Sequence, residues 1–202
     1  MRSNSSTTSR TPPPARSARR TCASGSRTTR LVDAAVRTAM AADAAAVQAI
    51  YAFHVDHGTA TFDTVPPDSG FWRDKIAAVA ERGWPFLVIE HDGAVAGYAY
   101  ATQFRDRAAY AHTCENSIYI AEQARGSGMG TRLLGSLLEA ARASGFEQII
   151  AVIGGGEPAS VALHAKLGFV HAGRMRRVGY KFGRKLDTVY MQCDLSEEGE
   201  TP

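Results

Sequence analysis

The chain has 202 residues, of which 45% are hydrophobic and 21% charged, proportions typical of a globular protein. No segment approaches the ~20 consecutive apolar residues that a transmembrane helix requires, so the sequence argues against a membrane protein. The formal net charge is +3, but seven arginines precede the first acid, Asp33, and subtracting these seven leaves −4 for the remainder. That balance argues against a basic nucleic-acid surface.

The first 34 residues are rich in Arg, Ser, Thr and Pro and nearly free of large apolar side chains. Such a segment cannot bury enough surface to offset its ordering entropy, so we expect residues 1–34 to be disordered. Its composition also fits an organelle transit peptide; a tail without function or an unused upstream start codon is the alternative. With a short flexible tail expected at 197–202, residues 35–196 form one domain.

The first half of this domain predicts two helices and three strands. Apolar residues at helical or alternating spacing predict, in chain order, a strand at 36–38, a helix from Asp43 to near Gly58, a helix at 69–82 and strands at 86–90 and 95–101. Asp43 is placed to cap the first helix, whose predicted buried face includes His54. His91-Asp92-Gly93 predicts a hairpin turn between the two later strands.

The second half alternates strands and helices. We predict, in chain order, a strand at 110–120, a helix from Met129, a strand at 148–153, a helix at 158–167 and closing strands at 169–176 and 188–195. The stripe that the helix after Met129 buries is Leu133, Leu134, Leu137, Leu138 and Ala141. Antiparallel strands first and helical crossovers later predict an α/β (α+β) fold, with a mixed sheet of six or seven strands flanked by four helices.

A glycine-rich turn separates the strand at 110–120 from the helix that follows it. Three glycines in five residues, Gly126, Gly128 and Gly130, let the backbone point its N–H groups inward. The start of the helix adds the positive end of its dipole, so the turn predicts a bound anion, above all a phosphate. Arg125 adds a positive charge at the rim.

Two phosphate-loop motifs do not fit this turn. A nucleoside triphosphate loop requires Gly-Lys-Ser/Thr, whereas Gly130 is followed directly by Thr131. The dinucleotide fingerprint requires glycine where Thr131 stands and an acid that closes the next strand, whereas Glu147 precedes that strand. The remaining pattern, Arg/Gln-x-x-Gly-x-Gly after a strand, resembles the acetyl-coenzyme A loop of the GCN5-related N-acetyltransferase (GNAT) superfamily.

Later segments resemble the phosphinothricin N-acetyltransferase branch of that superfamily. His164 within 160–169 matches this branch, and the other matching segments are 58–62, 151–154 and 178–184. The similarity spans Val36 to Leu195. Two positions depart from the pattern: Glu157 stands where the superfamily usually has Asn, and Lys185 where the branch usually has Trp.

The resemblance implies a GNAT fold, acetyl-coenzyme A as cosubstrate, a homodimer and a set of site residues. The implied catalytic pair is Glu115 and His164. Residues implied to bind the cofactor are Ile118, Tyr119, Ile120, Arg125, Gly126, Ser127, Gly128, Met129, Gly130, Glu157 and Lys166. Residues implied to bind the substrate are Phe62, Arg105, Arg107 and Tyr110.

The chemistry of acetyl transfer suits these residue types. An ammonium group must lose a proton before it attacks a thioester, and the Glu115 carboxylate can take that proton. Imidazole titrates near neutrality, so His164 can donate to the departing sulfur or assist as a base. Guanidinium groups at Arg105 and Arg107 suit an acidic acceptor, since they pair with carboxylate or phosphinate.

We therefore expect an N-acetyltransferase that acts on a small amino acid or analogue, such as phosphinothricin or methionine sulfoximine. The alternatives are an enzyme for an aminoglycoside, a polyamine or a protein N-terminus, and a coenzyme A-binding sensor without turnover. For the substrate residues, two purely structural interpretations stay open as well: residues 104–107 as a solvated turn, and Phe62 as a core residue.

No metal, nucleic-acid or membrane partner is expected. His54 and His57 have a spacing that a metal could use, but no third ligand is evident. The three cysteines are odd in number and lack metal-ligand spacing, which favours a reducing cytoplasm.

Overall fold

A computed structural model describes residues 34–196. Within them lie four α-helices and seven strands: β1 Ala35–Thr38, α1 Ala44–His57, α2 Ser69–Glu81, β2 Phe86–His91, β3 Ala94–Gln103, β4 Thr113–Ile120, α3 Met129–Ala143, β5 Gln148–Gly154, α4 Pro158–Lys166, β6 Val170–Lys181 and β7 Arg184–Asp194. The predicted mixed sheet with four helices is confirmed. The predicted tails, apart from Ala34, lie outside the described residues.

The strands form one sheet in the order β1-β2-β3-β4-β5-β7-β6. Neighbouring strands are antiparallel except for β4 and β5, which are parallel because α3 carries the chain back between them. The pairing of β4 with β5 ends where Asn116 lies opposite Ala151. Both strands continue beyond that point, to Ile120 and Gly154, so the sheet opens at its centre.

The helices cover the two faces of the sheet. Helix α3 buries Leu133, Leu134, Leu137 and Ala141 as predicted, whereas Leu138 is only partly buried. Helices α1 and α2 pack on each other and on the sheet, and Trp72 of α2 is 2% exposed. Each large apolar side chain buried in this way contributes about 1.5–3 kcal/mol of transfer free energy.

Asp43 does not cap α1 with its side chain, contrary to the prediction. Its carboxylate accepts hydrogen bonds from the Met40 N–H at 2.7 Å and from the Arg37 guanidinium at 2.7 and 2.8 Å. The Arg37 contact lowers the pKa of Asp43. A charged partner from β1 therefore competes with the helix N–H groups for this carboxylate.

Two strand boundaries also differ from prediction. Strand β4 begins at Thr113 because residues 108–110 form a single turn, closed by the Tyr110 N–H and the Arg107 carbonyl at 2.9 Å. The β6–β7 hairpin runs on to Lys181 and Arg184, past a change of register between Met175 and Gly179. The charged residues in this part of the hairpin are typical of a loop, but antiparallel pairing between β6 and β7 makes them part of the two strands.

The predicted turn at Asp92 and Gly93 is confirmed. Both residues have positive φ, 51° and 75°, which two-residue hairpin turns require. The β6–β7 hairpin closes in the same way, with φ of 51° at Phe182 and 72° at Gly183.

Candidate active site

A cleft lies where β4 and β5 separate. Its lining comes from the adjoining parts of these two strands, from residues 60–62 after α1 and from Ser160 and His164 of α4. Since the main-chain pairing between β4 and β5 has ended there, the cleft reaches both faces of the sheet. Five of the predicted site residues line it, namely Phe62, Glu115, Ile118, Tyr119 and His164.

Alternation along β4 sends its side chains to opposite faces. Tyr119 faces α1, where its ring meets the ring of Tyr51 edge-on at 5.0 Å. Asn116 faces α4 and bonds to His164 at 3.0 Å. Glu115, one residue before Asn116, shares the face of Tyr119. The two predicted catalytic side chains therefore reach one cleft from opposite faces of the strand.

Glu115 lies half-buried between two cations. Burial raises the pKa of its carboxyl group, whereas Arg105 and Lys75 act in the opposite direction. Lys75 belongs to α2, its Nζ lies 5.2 Å from the centre of the Tyr100 ring, and burial lowers its pKa. Lys75 was not among the predicted site residues, although its position one residue before the buried Ile76 was a usable signal that it lies near the core.

His164 is 2% exposed and both of its ring nitrogens have partners. Nδ1 lies 2.8 Å from the Ser160 carbonyl oxygen, which can only accept, so Nδ1 carries the proton and donates. Nε2 then accepts from the Asn116 side-chain amide at 3.0 Å. Burial lowers the pKa of His164, which favours this neutral form.

Asn116 was not among the predicted site residues. It is 6% exposed, and its Oδ1 has no hydrogen-bond partner among the residues that the structure describes. Its amide nitrogen fixes the tautomer of His164. Adjacency to Glu115 was the only signal in the sequence.

The glycine turn leads from β4 into the start of α3 and contains two glycines in the left-handed conformation. Gly126 and Gly128 have φ of 72° and 89°, conformations that suit glycine, and the Ser127 hydroxyl donates to the Ala124 carbonyl at 2.6 Å. The Arg132 N–H bonds to the Gly128 carbonyl at 3.2 Å. The amides of residues 129–131 precede that first helical bond, so they are available to a ligand.

Lys166 and Arg125 lie at or beside this turn, whereas Glu157 lies at the opposite end of α4 from Lys166. Lys166, at the end of α4, places its Nζ 3.5 Å from the Thr131 hydroxyl, at the start of α3. The Arg125 guanidinium lies 5.3 Å from the centre of the Phe53 ring. Glu157 stands at the N-cap of α4 and makes no capping hydrogen bond with its side chain.

The main chain of Ile118 and Ile120 borders the opening. The Ala121 N–H bonds to the Ala96 carbonyl at 2.9 Å. By antiparallel alternation the main-chain groups of Ile118 therefore face away from β3, toward the side that β5 has left. The Ile120 carbonyl also accepts from His54 Nε2 at 3.0 Å. His54, whose pKa is lowered by burial, therefore serves to hold the end of β4.

The predicted substrate residues after β3 lie on an exposed loop. The Arg105 guanidinium lies 4.0 Å from the centre of the Phe104 ring, and the Tyr110 ring meets that ring edge-on at 5.8 Å. Gln103, which the sequence analysis missed, donates to the carbonyls of Arg105 and Arg107 at 2.7 and 2.9 Å. The loop is thus held in shape, but only Phe62 of the four predicted residues lines the cleft.

Among residues 34–196, no group of three or more His, Cys, Asp and Glu side chains is arranged to hold a metal ion. His57 instead stacks on Phe53 at 4.6 Å. No helix within the same range is long and apolar enough to cross a membrane.

Residues 36–190 match the family described as acetyltransferase (GNAT) domain. The chain belongs to the GNAT acetyltransferase family. The match covers the whole sheet except the last residues of β7, so the predicted family and fold are confirmed.

Relatives of this GNAT acetyltransferase include enzymes named for amino acid analogues. The phosphinothricin N-acetyltransferase of Alcaligenes faecalis is 48% identical over 162 residues, which are 80% of this chain and 82% of the relative. The L-methionine sulfoximine/L-methionine sulfone acetyltransferase of Pseudomonas paraeruginosa is 38% identical over 172 residues, 85% of this chain and all of the relative.

Solved structures share the fold. A phosphinothricin acetyltransferase from Sinorhizobium meliloti in complex with acetyl-coenzyme A is 44% identical, with a TM-score of 0.80 over 84% of this chain and 92% of that one. An acetyltransferase from Salmonella typhimurium with acetyl-coenzyme A is 35% identical and also has a TM-score of 0.80, over 84% and 98%.

Proposed function

We propose that this GNAT acetyltransferase transfers an acetyl group from acetyl-coenzyme A to the amino group of a small amino acid or amino acid analogue. Phosphinothricin and methionine sulfoximine, for which the relatives are named, are the model acceptors. One observation carries the proposal: Glu115 of β4 and His164 of α4 line one cleft between β4 and β5, and a glycine turn joins the same strand β4 to the start of α3.

The residues of the turn suit the diphosphate of coenzyme A. The amides at the start of α3, with Arg125 and Lys166 near them, would hold that diphosphate, and Ile118 would pair with the arm that extends into the cleft. Glu157 would border the same arm at α4. When bound, acetyl-coenzyme A supplies the activated thioester.

Glu115 takes the proton that the acceptor ammonium group must lose. Burial raises the pKa of its carboxyl group, which makes it a stronger proton acceptor at neutral pH than an exposed glutamate. His164 lies on the cofactor face of β4, where its unprotonated Nε2 assists as a base and does not donate to the departing sulfur. Its Nδ1 proton is held by Ser160, so only Nε2 is oriented toward β4.

The acceptor's acidic group is bound by the loop after β3. Arg105 and Arg107 offer guanidinium groups, Tyr110 a hydroxyl group and Phe62 an apolar wall. Both arginines are exposed and repel cationic acceptors, which disfavours aminoglycosides and polyamines. A free-thiol release assay with methionine sulfoximine, phosphinothricin, spermidine and an aminoglycoside tests this choice, and a preference for either cation would overturn it.

The role of Glu115 is tested by Glu115→Gln. This change keeps the size of the side chain but removes the proton acceptor, so we expect turnover to fall by about 100-fold or more. Calorimetry should find coenzyme A affinity nearly unchanged, because the turn at 125–130 is intact. A variant that keeps the full rate at every pH would disprove the assignment.

We also propose a cytoplasmic homodimer. Strand β6 is a sheet edge, and edges with free main-chain groups invite pairing. Five large apolar side chains on its hairpin are exposed by 43–68%, namely Val170, Met175, Val178, Tyr180 and Phe182. The cytoplasmic location rests on the two described cysteines, Cys114 and Cys193, which are unpaired, as expected in a reducing compartment.

A further inference from the structure

Two segments that lie far apart in sequence meet beside the cleft. They are the segment at 58–62 after α1 and the tip of the β6–β7 hairpin. Lys181, at the end of β6, is 4% exposed, and its Nζ donates to the carbonyls of Gly58 and Thr61, both at 3.0 Å. An ammonium group with two carbonyl acceptors forms charge-assisted hydrogen bonds, which are stronger than neutral ones.

The ring of Phe62 rests on two glycines. A Cβ atom at Gly179 would lie 2.4 Å from the ring, and one at Gly154 would lie 3.2 Å from it. Gly179 does not have positive φ, so its lack of a side chain serves close approach and not a turn. The ring thus spans from the end of β5 to β6, across the first residues of β7, since Gly154 pairs with Thr188 and Gly179 with Leu186.

The other side of the segment is held by α1. The Tyr51 hydroxyl bonds to the Thr61 hydroxyl and to the Asp63 carboxylate, both at 2.7 Å. Residues 58–62 have no strand or helix of their own. The position of Phe62 in the cleft is therefore set by side chains that reach it from α1 and from the hairpin.

We propose that Lys181 and Gly179 are positioning residues for the acceptor: together they hold Phe62 against the cleft, although neither lines it. This inference rests on the proposed acceptor-binding role of Phe62. The hairpin tip controls the acceptor side of the reaction and leaves the cofactor side unchanged, because it acts on Phe62, which lines the cleft, whereas residues 125–130 do not line it.

Lys181→Met tests the hydrogen bonds from Lys181 to the carbonyls of Gly58 and Thr61. Lys185→Met is its control. Both variants remove one lysine from the same hairpin, but Lys185 is exposed. We expect Lys181→Met to raise the KM for methionine sulfoximine about tenfold or more, to leave the KM for acetyl-coenzyme A within twofold, and to speed amide hydrogen exchange at 58–63. Lys185→Met should change none of these quantities.

Gly179→Ala tests the contact with the ring. The added methyl group must displace Phe62, so the KM for the acceptor should rise in the wild-type background. In a Phe62→Ala background, where no ring is present, the same methyl group should have no further effect. A second rise of equal size there would show that Gly179 acts elsewhere.

The outcomes separate this inference from the proposed function. If Phe62→Ala leaves the acceptor KM unchanged, the role of Phe62 in acceptor binding is wrong. If Phe62→Ala raises that KM but Lys181→Met changes neither the KM nor exchange at 58–63, the positioning role is wrong. A general loss of fold would appear as a changed acetyl-coenzyme A KM and faster exchange throughout the sheet, which would also count against it.

Discussion

At the scale of single residues, the charge of Glu115 depends on its neighbours. Its pKa is raised by burial and held down by Arg105 and Lys75, so the carboxylate needed for proton transfer exists only above a raised pKa. Each cation extends the active form toward lower pH. Lys75 is the more useful probe, because it belongs to α2 and not to the proposed acceptor loop.

Lys75→Met should therefore move the acid limb of kcat/KM to higher pH. Removing the cation lets the pKa of Glu115 rise further, so a higher pH is needed before the base is free. Arg73→Met makes the same change of charge on an exposed position of α2 and should leave the profile in place. A shift toward lower pH in Lys75→Met would contradict this electrostatic account.

His164 offers a second test at this scale. The neutral ring accepts from the Asn116 amide, whereas an aspartate at that position would instead accept a hydrogen bond from a protonated Nε2 and so favour the charged ring. Asn116→Asp should thus raise the pKa of His164, measured by NMR titration of its ring protons. His54, buried elsewhere in the same molecule, should titrate as before.

At the scale of elements, the start of α3 joins fold and function. Gly128 has a φ of 89° in the turn that we assign to the cofactor, whereas Gly135 lies in the middle of the same helix with no atom near the position of its missing Cβ. Replacing these two glycines by alanine should therefore change the stability of the fold in opposite directions.

Gly128→Ala should destabilise the fold by about 1–2 kcal/mol, because a Cβ is strained in the left-handed region, and should also weaken coenzyme A binding. Gly135→Ala should stabilise it by about 0.5–1 kcal/mol, because alanine is the better helix former. Urea denaturation and calorimetry measure the two effects. Equal stability changes in the two variants would show that the turn at Gly128 is not strained.

At the scale of the whole molecule, the exposed face of β6 carries apolar side chains that the described part of a single chain does not cover. Met175→Glu and Val170→Glu together place two charges on that edge, away from the hairpin tip, and should convert a dimer into a monomer. Light scattering after size exclusion measures the mass. Glu139→Lys on the exposed face of α3 should leave the mass unchanged, and a wild-type monomer at high concentration would refute the dimer.

The local features of this protein follow from its sequence alone. Helical spacing identified the buried face of α3, the pair Asp92 and Gly93 identified a hairpin turn, and the glycines at 126–130 identified the turn between β4 and α3 that we assign to the cofactor. Each of these depends on residues within a few positions of one another, so local periodicity and backbone preference suffice to predict them. The family resemblance added the candidate roles of Glu115 and His164.

Contacts between distant segments were decided only by the tertiary structure. The cleft that Glu115 and His164 share depends on where β4 parts from β5, and Asn116 bonds to His164 although 48 positions separate them. Lys75 and Asn116 are marked only by their neighbours in sequence and Lys181 by no local pattern, because the partners of all three lie on other elements. Long-range pairing determines which groups share a buried space, and that space sets their pKa values and contacts.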